Sequence, residues 1–486
     1  MQIPLTRGSY TDAGAEFRTS YPRNMIPVVK ETGISEKNIL LRSAEGLTRF
    51  DVNSPALTGV DRGGINWQGV CYRVIGTNFV SIASDGTVTV IGQVPTDGNP
   101  VAMDYGYSNQ GIGIVSGGTL WFYTVQKPDG SKQPLPTLQQ CTDPNVGQPI
   151  DLIWMAGYFV LTDGVAVYVT QLANQFTFNT QLFGSSSNQP DPINGIWKFR
   201  NELYFGNRYQ IPVFDNTGGT GFPFTENQGA TIQKGVIGPR AKCLTSQGFA
   251  FIGGQRGESP SVWLSGGLGI AQDIATREVQ MLLKQYTDQQ LYWTTLEYWG
   301  TKDQQFICMH LPDYTLVYDV MGSQAAQQPL WFFRDSSTDG SGAWRAWHAV
   351  YCYGKFIFGD KQDQRIGYLD DTTAQQYGVN ARWQFDTIFA YNKAKGFTVN
   401  AVELIGTYGR SALGEVDTMS MQYTNDGLAW SAPKFISMGE QGRRNQRAQW
   451  RPRHFFRNFR GYRFAGFNAA PVSFAALEAD GEPMMV

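Results

Sequence analysis

Apolar residues in the middle of the chain come in short runs that alternate loosely with polar ones, and each run is closed by Gly, Asn or Asp. Such runs predict β-strands joined by tight turns. Seven segments share one grammar of strand, turn and strand: residues 72–90, 111–125, 158–170, 202–214, 248–264, 305–319 and 355–369. The sharpest read NFVSIASDGTVTVIG, GYFVLTDGVAVYV and ELYFGNRYQIPVF. In the first two, Asp85-Gly86 and Asp163-Gly164 supply the positive φ that a tight hairpin turn requires. Apart from a closer first pair, successive hairpins start roughly 40 to 55 residues apart, which is the spacing of four-stranded propeller blades.

Alternation within the strands is imperfect: Phe79, Ser81 and Ala83 oppose Val80, Ile82 and Ser84. Sheets packed face to face bury both surfaces, so loose alternation is expected of them. A radial array also leaves few exposed edges. The pattern predicts an all-β chain whose central part is a β-propeller of seven blades, with six as the near alternative. A β-solenoid or two sandwiches compete with it, and the long period argues against a short-coil solenoid. One segment departs from the pattern. Residues 273–290 place Val279, Leu282, Leu283 and Tyr286 on a helical stripe, with Asp273 or Thr276 as cap. This predicts one helix inserted between blades, for packing or for an oligomer interface. After about residue 378 the strands lengthen, at residues 383–388, 402–405, 419–423 and 433–437, with a turn at Thr424-Asn425-Asp426-Gly427. The domain reading is an extended N-terminal arm (1–37, punctuated by Pro4, Pro22 and Pro27), a propeller (38–377) and a C-terminal β-sandwich-like domain (378–486).

Composition narrows the function classes. Charged residues are 16% of the 486, against a usual level of about 25%. Net charge is -2, from 39 Lys+Arg and 41 Asp+Glu. Ample apolar content with near-zero net charge excludes disorder. A nucleic-acid binder driven by bulk charge is disfavoured at a pI near 6.0, though a local basic patch is not. No run approaches the ~18 apolar residues of a membrane helix, and the N-terminus has no apolar signal region. Cys71, Cys141, Cys243, Cys308 and Cys352 are scattered with no C-x-x-C. They read as buried free thiols from a reducing cytoplasm.

Chemistry-bearing motifs are sparse. His310, His348 and His454 stand at no metal-ligand spacing. Cys308 and His310 lack an orienting third group, so they make no nucleophile–base pair. There is no G-x-S-x-G elbow and no phosphate-binding loop, and Gly253-Gly254 reads as a hairpin turn. Thr424–Trp430 is a near miss to the Asp boxes of sugar-cleaving propellers, and it occurs once. Asp313, Asp319, Asp360 and Asp370-Asp371 fall near turns, and no pair of them can be set across a substrate. No catalytic, metal or cofactor residue is therefore assigned, and the reading is of a non-enzyme with no cofactor. The strongest anomaly is RRNQRAQWRPRHFFRNFRGYR, residues 443–463, which holds no acidic residue. Arg443, Arg444, Arg447, Trp450, Arg451, Arg453, Arg457, Arg460 and Arg463 are the partner-interface candidates. Arginine suits carboxylate or phosphate partners and stacks on aromatic rings. Three readings stand: arginines facing an acidic partner subunit, arginines facing a nucleic-acid backbone, or a solvated, internally paired face.

Several stretches carry a resemblance in one order along most of the chain. They are Tyr21-Pro22-Arg23-Asn24-Met25, Gln233-Lys234-Gly235-Val236-Ile237-Gly238, Ala250-Phe251-Ile252 and Ser259-Pro260-Ser261-Val262-Trp263. Ile274-Ala275-Thr276 with Glu278, Tyr286-Thr287, Met309-His310-Leu311-Pro312, Leu316-Val317-Tyr318-Asp319 and Ser323-Gln324 continue it. Trp450-Arg451, Arg457, Arg460-Gly461-Tyr462-Arg463 and Pro471-Val472 complete it. In these the chain resembles the packaged-DNA stabilisation proteins of short-tailed bacteriophages, with looser spacing over residues 95–200.

The resemblance implies a structural virion protein without catalytic residues. It implies a tail hub that closes the portal after genome packaging, retains the packaged DNA and forms part of the ejection conduit and tail attachment platform. It implies a homo-oligomer, a hexameric ring, with a portal or adaptor ring, a tail needle or plug and tailspikes or fibres as partners. Genomic DNA would pass transiently, no membrane segment is involved, and the protein would be assembled in the host cytoplasm into the virion tail. The alternative reading is a propeller-type glycan-binding or glycan-cleaving tail protein.

Overall fold

A computed structural model describes residues 2–14, 16–30, 39–52, 55–172, 174–184, 191–218, 221–300, 304–391, 395–452 and 454–483. The chain divides into two compact units. One comprises residues 49–299 with 346–368, the other residues 1–48, 300–345 and 369–486.

The first unit holds five complete four-stranded antiparallel meanders. Their first strands are Asp61–Trp67, Ala102–Tyr105, Asp151–Met155, Ile193–Phe199 and Lys242–Leu244, so the repeat is 41 to 49 residues. Each meander runs strand by strand in chain order, the local pairing that short turns favour. The Asp-Gly turns form as the sequence predicts. Gly86 has φ +85° and Gly164 +94°, and the carboxylates of Asp85 and Asp163 accept from the amides of Thr87 and Val165. Neighbouring sheets bury apolar layers against each other. Trp67, Val74 and Phe79 of the first meander pack with Ile112 and Ile114 of the second. Phe122 of the second meets Phe159 of the third at 5.0 Å between ring centroids. Ile153 and Val160 of the third pack with Ile196 and Phe205 of the fourth. Strands Ala346–Cys352 and Lys355–Asp360 put Val350, Cys352 and Ile357 against Cys71, Ile75 and Val80 of the first meander. This is the face-to-face blade packing of a β-propeller.

The predicted helix at 273–290 is two short ones. Helix α1 (Arg277–Leu283) is capped by the Thr276 side chain, and α2 (Asp288–Tyr292) starts at a capping box formed by Thr287 and Gln290. The apolar stripe set the expectation of one helix. Thr287 interrupts it, because its hydroxyl satisfies the Gln290 amide and so begins a new helix.

A polar layer runs through the innermost strands. Asp104 Oδ2 accepts from the Trp154 amide of the next meander at 2.7 Å and from Lys198 Nζ at 2.7 Å. Asp151 Oδ2 accepts from the Ile196 amide, again one meander on, at 2.9 Å, and from Lys242 Nζ at 2.7 Å, while its Oδ1 takes Arg240 Nη1 at 2.9 Å. Glu297 accepts from the amides of His348 and Ala349. Asp61 is clasped by Arg73 through Nε at 2.7 Å and Nη2 at 2.9 Å, and by His348 Nδ1 at 2.7 Å. These carboxylates thus tie several neighbouring sheets together, where apolar side chains would leave strand amides unsatisfied.

The second unit contains a two-sheet β-sandwich. One sheet runs Met25–Val29, Ile39–Ser43, Ser473–Pro483, Phe397–Gly406, Ala448–Trp450, with His454–Phe456 also on Phe397–Gly406 and Gln2–Ile3 on Ser473–Pro483. The other runs Arg382–Asp386, Phe459–Phe467, Thr418–Thr424, Lys434–Ser437, with Ala390–Tyr391 also on Phe459–Phe467. Between them lie Trp383, Phe385, Met419, Met421, Phe464, Phe474 and Leu477. The first residues were read as an extended arm. They instead carry four strands, and Ile3, Leu5 and Met25 join this core. Their prolines suppress a local strand signal; Gly8–Thr11 pairs with Phe17–Ser20 and Met25–Val29 with Ile39–Ser43, while Gln2 pairs far along the chain with Glu478. A third helix, Val320–Ala326, follows strand Thr315–Asp319 in this unit and is capped by Asp319.

None of the five cysteines forms a disulfide. Burial pushes the Cys71 and Cys141 thiols up to about 11. Both are therefore expected to resist a thiol reagent at pH 8 in the native protein and to react fully in denaturant. Fast native modification of either, located by mass spectrometry, would contradict this placement.

Candidate partner interface

The Arg-rich segment links the two sheets of the sandwich. Strand Ala448–Trp450 pairs with residues 402–404 of the first sheet, and His454–Phe456 pairs with 397–399 of the same strand. After a turn at 457–458 the chain enters the second sheet as Phe459–Phe467, between Arg382–Asp386 and Thr418–Thr424. The period-2 rule then sorts its side chains.

Four of the nine candidates are buried or engaged within the chain. Trp450 is buried, donates Nε1 to the Lys434 carbonyl at 2.8 Å and packs its ring on Phe464 at 5.3 Å. Arg460 is 1% exposed. Its guanidinium lies between the rings of Tyr423 and Phe456, at 4.6 and 4.8 Å, and donates to Asn425 Oδ1 and the Phe455 carbonyl. Arg463 forks onto Asp386, its register partner, at 2.7 and 2.8 Å, and covers the Trp430 ring at 3.9 Å. Arg447 forks onto Glu403 of the neighbouring strand, and its hydrogen bonds hold that carboxyl below the ordinary range. Arg443, Arg444, Arg451 and Arg457 remain exposed. Arg443 and Arg444 lie in the turn before Ala448–Trp450, and Arg457 lies in the inter-sheet turn. Arg453 falls outside the described residues. The segment is thus a partly internal structure that leaves four cationic groups at its turns.

The remaining chemical candidates take structural roles. His310 is buried, lies near Cys308 Sγ at 3.4 Å and Thr315 Oγ1 at 3.5 Å, and stacks on Trp344. Thr424-Asn425-Asp426-Gly427 is a turn. Gly427 has φ +76°, its amide donates to Thr424 Oγ1, and Asp426 Oδ1 takes the amides of Leu428 and Ala429. Asp319 caps its helix through the Gly322 amide, and burial lifts its pKa to about 6. Asp360 binds the Gln362 amide, and Asp370 binds Thr48 and Thr372. Among the described residues no group of three His, Cys, Asp or Glu side chains could hold a metal ion, and no helix is long and apolar enough to cross a membrane.

Reading by motif missed the first-strand acids Asp61, Asp104, Asp151 and Glu297. Their signal in the sequence is an acidic residue in the first strands Asp61–Trp67, Ala102–Tyr105 and Asp151–Met155 and in Thr295–Gly300, absent from Ile193–Phe199 and Lys242–Leu244, and it is visible once the repeat is phased.

Comparison with known proteins divides the chain once, between residues 374 and 382. A family model described as "Bacteriophage P22 Gp10, beta-propeller" matches residues 1–374, and one described as "Bacteriophage P22 Gp10, beta-sandwich" matches residues 382–482. The tail hub protein gp10 of Salmonella phage P22 is 24% identical over 98% of each chain. Similar solved structures include the Neurospora crassa Pan2 WD40 domain, at 8% identity and TM-score 0.42, covering 68% of this chain and 95% of that one. The extracellular domain of the hybrid two-component system BT4673 from B. thetaiotaomicron has 9% identity and TM-score 0.43, covering 73% of this chain and 43% of that one.

Proposed function

The chain belongs to the bacteriophage P22 Gp10 family, and from that premise we propose that it is the structural tail hub of a phage virion. In this reading it closes the portal after genome packaging, retains the packaged DNA and forms part of the ejection conduit and of the platform that carries the tail appendages. The observation that carries the reading is the ordered match of a propeller and a sandwich over nearly the whole chain, together with a tail hub relative of the same length. Its role is mechanical and not catalytic. It acts as a ring of copies, six in this reading, between a portal or adaptor ring on one side and a needle or plug and spikes or fibres on the other. The junction near residue 377 separates propeller from sandwich.

Composition supports this. Depletion of charge suits large permanent subunit contacts. A conduit of near-zero net charge also lets a polyanion slide, where a basic lumen would hold it. Light scattering of the purified chain mixed with its portal complex, and electron microscopy of the virion tail, test the reading. A chain that stays monomeric in that mixture and is absent from virions would sink it.

The exposed arginines give a sharper test. Arg451→Glu combined with Arg457→Glu is expected to leave thermal unfolding within about 0.5 kcal/mol of the parent, as surface changes do. It is expected to lower the fraction of particles that keep their genome, read as DNA per purified capsid. Normal genome retention in the double variant would remove the interface role from these two residues.

A further inference from the structure

Beside the inter-sheet turn of the sandwich lies an apolar surface that the chain itself leaves uncovered. Phe17 meets Phe389 and Phe459, each at 6.0 Å between ring centroids, and Phe389 meets Phe459 at 4.3 Å. Tyr391 stands opposite Phe459 in register, and Phe455 lies on the strand just before the turn. Leu428 follows Gly427, whose carbonyl takes the Thr11 amide at 2.9 Å and whose Cα lies close to the Phe389 ring. Phe17 is 65% exposed, Tyr391 72%, Leu428 59% and Phe455 45%. Single exposed apolar side chains are ordinary, whereas a contiguous group of this kind marks a contact surface.

The polar groups around it are unequal. Nearby acids are already engaged: Asp12 takes both the Glu16 amide and the Arg18 fork, and Asp426 takes Thr424 Oγ1 and two amides. The donors are not matched in the same way. Arg457 is exposed and forms no ion pair among the described residues. Arg460 beneath it pairs with no carboxylate among them, and its buried Nη1 has no hydrogen-bond partner. The surface therefore offers aromatic area with unneutralised positive charge at one edge. Aromatic rings and arginine are the side chains that carry the most binding energy at protein interfaces.

We infer that this surface is a docking site for an acidic polypeptide segment bearing aromatic or aliphatic side chains. The apolar side chains cover the rings, and a carboxylate pairs with Arg457. Arg460 acts from below as a positioning residue, because its bonds to Phe455 and Asn425 fix the turn that presents Arg457. One exposed guanidinium, with the exposed Asp426 carboxylate bound to the Leu428 amide at the same surface, is not the basic groove that tracks a nucleic-acid backbone. That geometry favours a polypeptide over single-stranded DNA. The inference deepens the tail-hub reading and rests on it for the setting in which such a segment is met.

The test uses the purified full-length chain and a fluorescent random copolymer of Glu and Tyr, followed by anisotropy at low salt. Binding is expected to weaken about tenfold or more with Arg457→Glu and with Tyr391→Ser. With Lys284→Glu, an exposed cation at the end of α1 and outside the sandwich, it is expected to change less than about twofold. A Lys-Tyr copolymer and oligo(dT) are expected to bind more weakly than the Glu-Tyr copolymer. Near-ultraviolet circular dichroism checks that each variant stays folded, and both tested side chains are exposed. Absence of binding by the parent, binding by the Arg457 or Tyr391 variant equal to the parent's, or tighter binding of oligo(dT) than of the Glu-Tyr copolymer would each overturn the inference. No virion enters this assay, so its outcome is separate from the microscopy that tests the tail-hub role.

Discussion

Replacing Asp61 by Ala is expected to cost about 3–5 kcal/mol of folding stability, the usual penalty for orphaning a buried charge. Arg73 is fully buried and Asp61 is 1% exposed. The carboxylate meets the guanidinium in a two-point fork and also meets His348 Nδ1. Truncation would remove the anion and leave Arg73 with the His348 carbonyl as its other close acceptor, at 2.9 Å. Water cannot enter readily, because Gly359 packs its backbone directly on Asp61. A Cβ built at Gly359 would fall 2.0 Å from Asp61 Cγ. The loss should appear as a lower urea midpoint of tryptophan fluorescence. Asp61→Leu with Arg73→Met should lose much less than Asp61→Ala, since neither charge then remains buried. Because Asp61 lies in the first meander and His348 on the meander packed against it, the unfolding transition should also broaden. A loss below about 1 kcal/mol in Asp61→Ala would show that Arg73 finds another anion or reaches water.

The same cluster shows where sequence reading stops. Turns were legible because their chemistry is local: Asp85-Gly86, Asp163-Gly164 and Asp426-Gly427 each satisfy their own backbone within three residues. Strands were legible where buried and half-buried positions alternate, as along Thr119–Gln126 of the second meander. What escaped depends on partners distant in sequence. The first strand, Gln2–Ile3, pairs with residues more than 400 positions away, so nothing beside it in the chain announces it. Arg460 looked like surface because arginine usually is. It is buried because Tyr423 and Phe456 sandwich its guanidinium, a neighbourhood that no spacing along the chain announces. Only part of the charge of the Arg-rich segment therefore faces outward, at Arg443, Arg444, Arg451 and Arg457. Asp61 and Asp151 were passed over for the opposite reason: they are ordinary residues in ordinary strands, and only the phased repeat gives them a common place.

Asp151 should show the largest effect of pH on this architecture. Burial alone would raise its pKa, yet Lys242 and Arg240 hold it below the ordinary 3.8, helped by the Ile196 amide. A carboxyl with a depressed folded-state pKa binds protons more readily in the unfolded chain. Its contribution is therefore complete above the unfolded value of about 3.9 and disappears as pH falls through the lower folded value. Asp151→Asn keeps the side-chain shape and the amide contact but leaves two cations facing a neutral group. At pH 7 the expected cost is about 3 kcal/mol. Below about pH 4 the unfolded chain takes up the proton first and the folded carboxyl follows at lower pH, so the two proteins should approach each other, the parent losing stability steeply and the variant little. Asp104 makes a similar bridge from a more open site, with Lys198 about one-third exposed, and Asp104→Asn should move the urea midpoint less. Urea midpoints from pH 3 to 7 for the three proteins decide the matter. Parallel acid limbs for parent and Asp151→Asn would mean that the bridge across the innermost strands adds no pH-dependent stability. The apolar layers between the sheets would then carry the propeller without it.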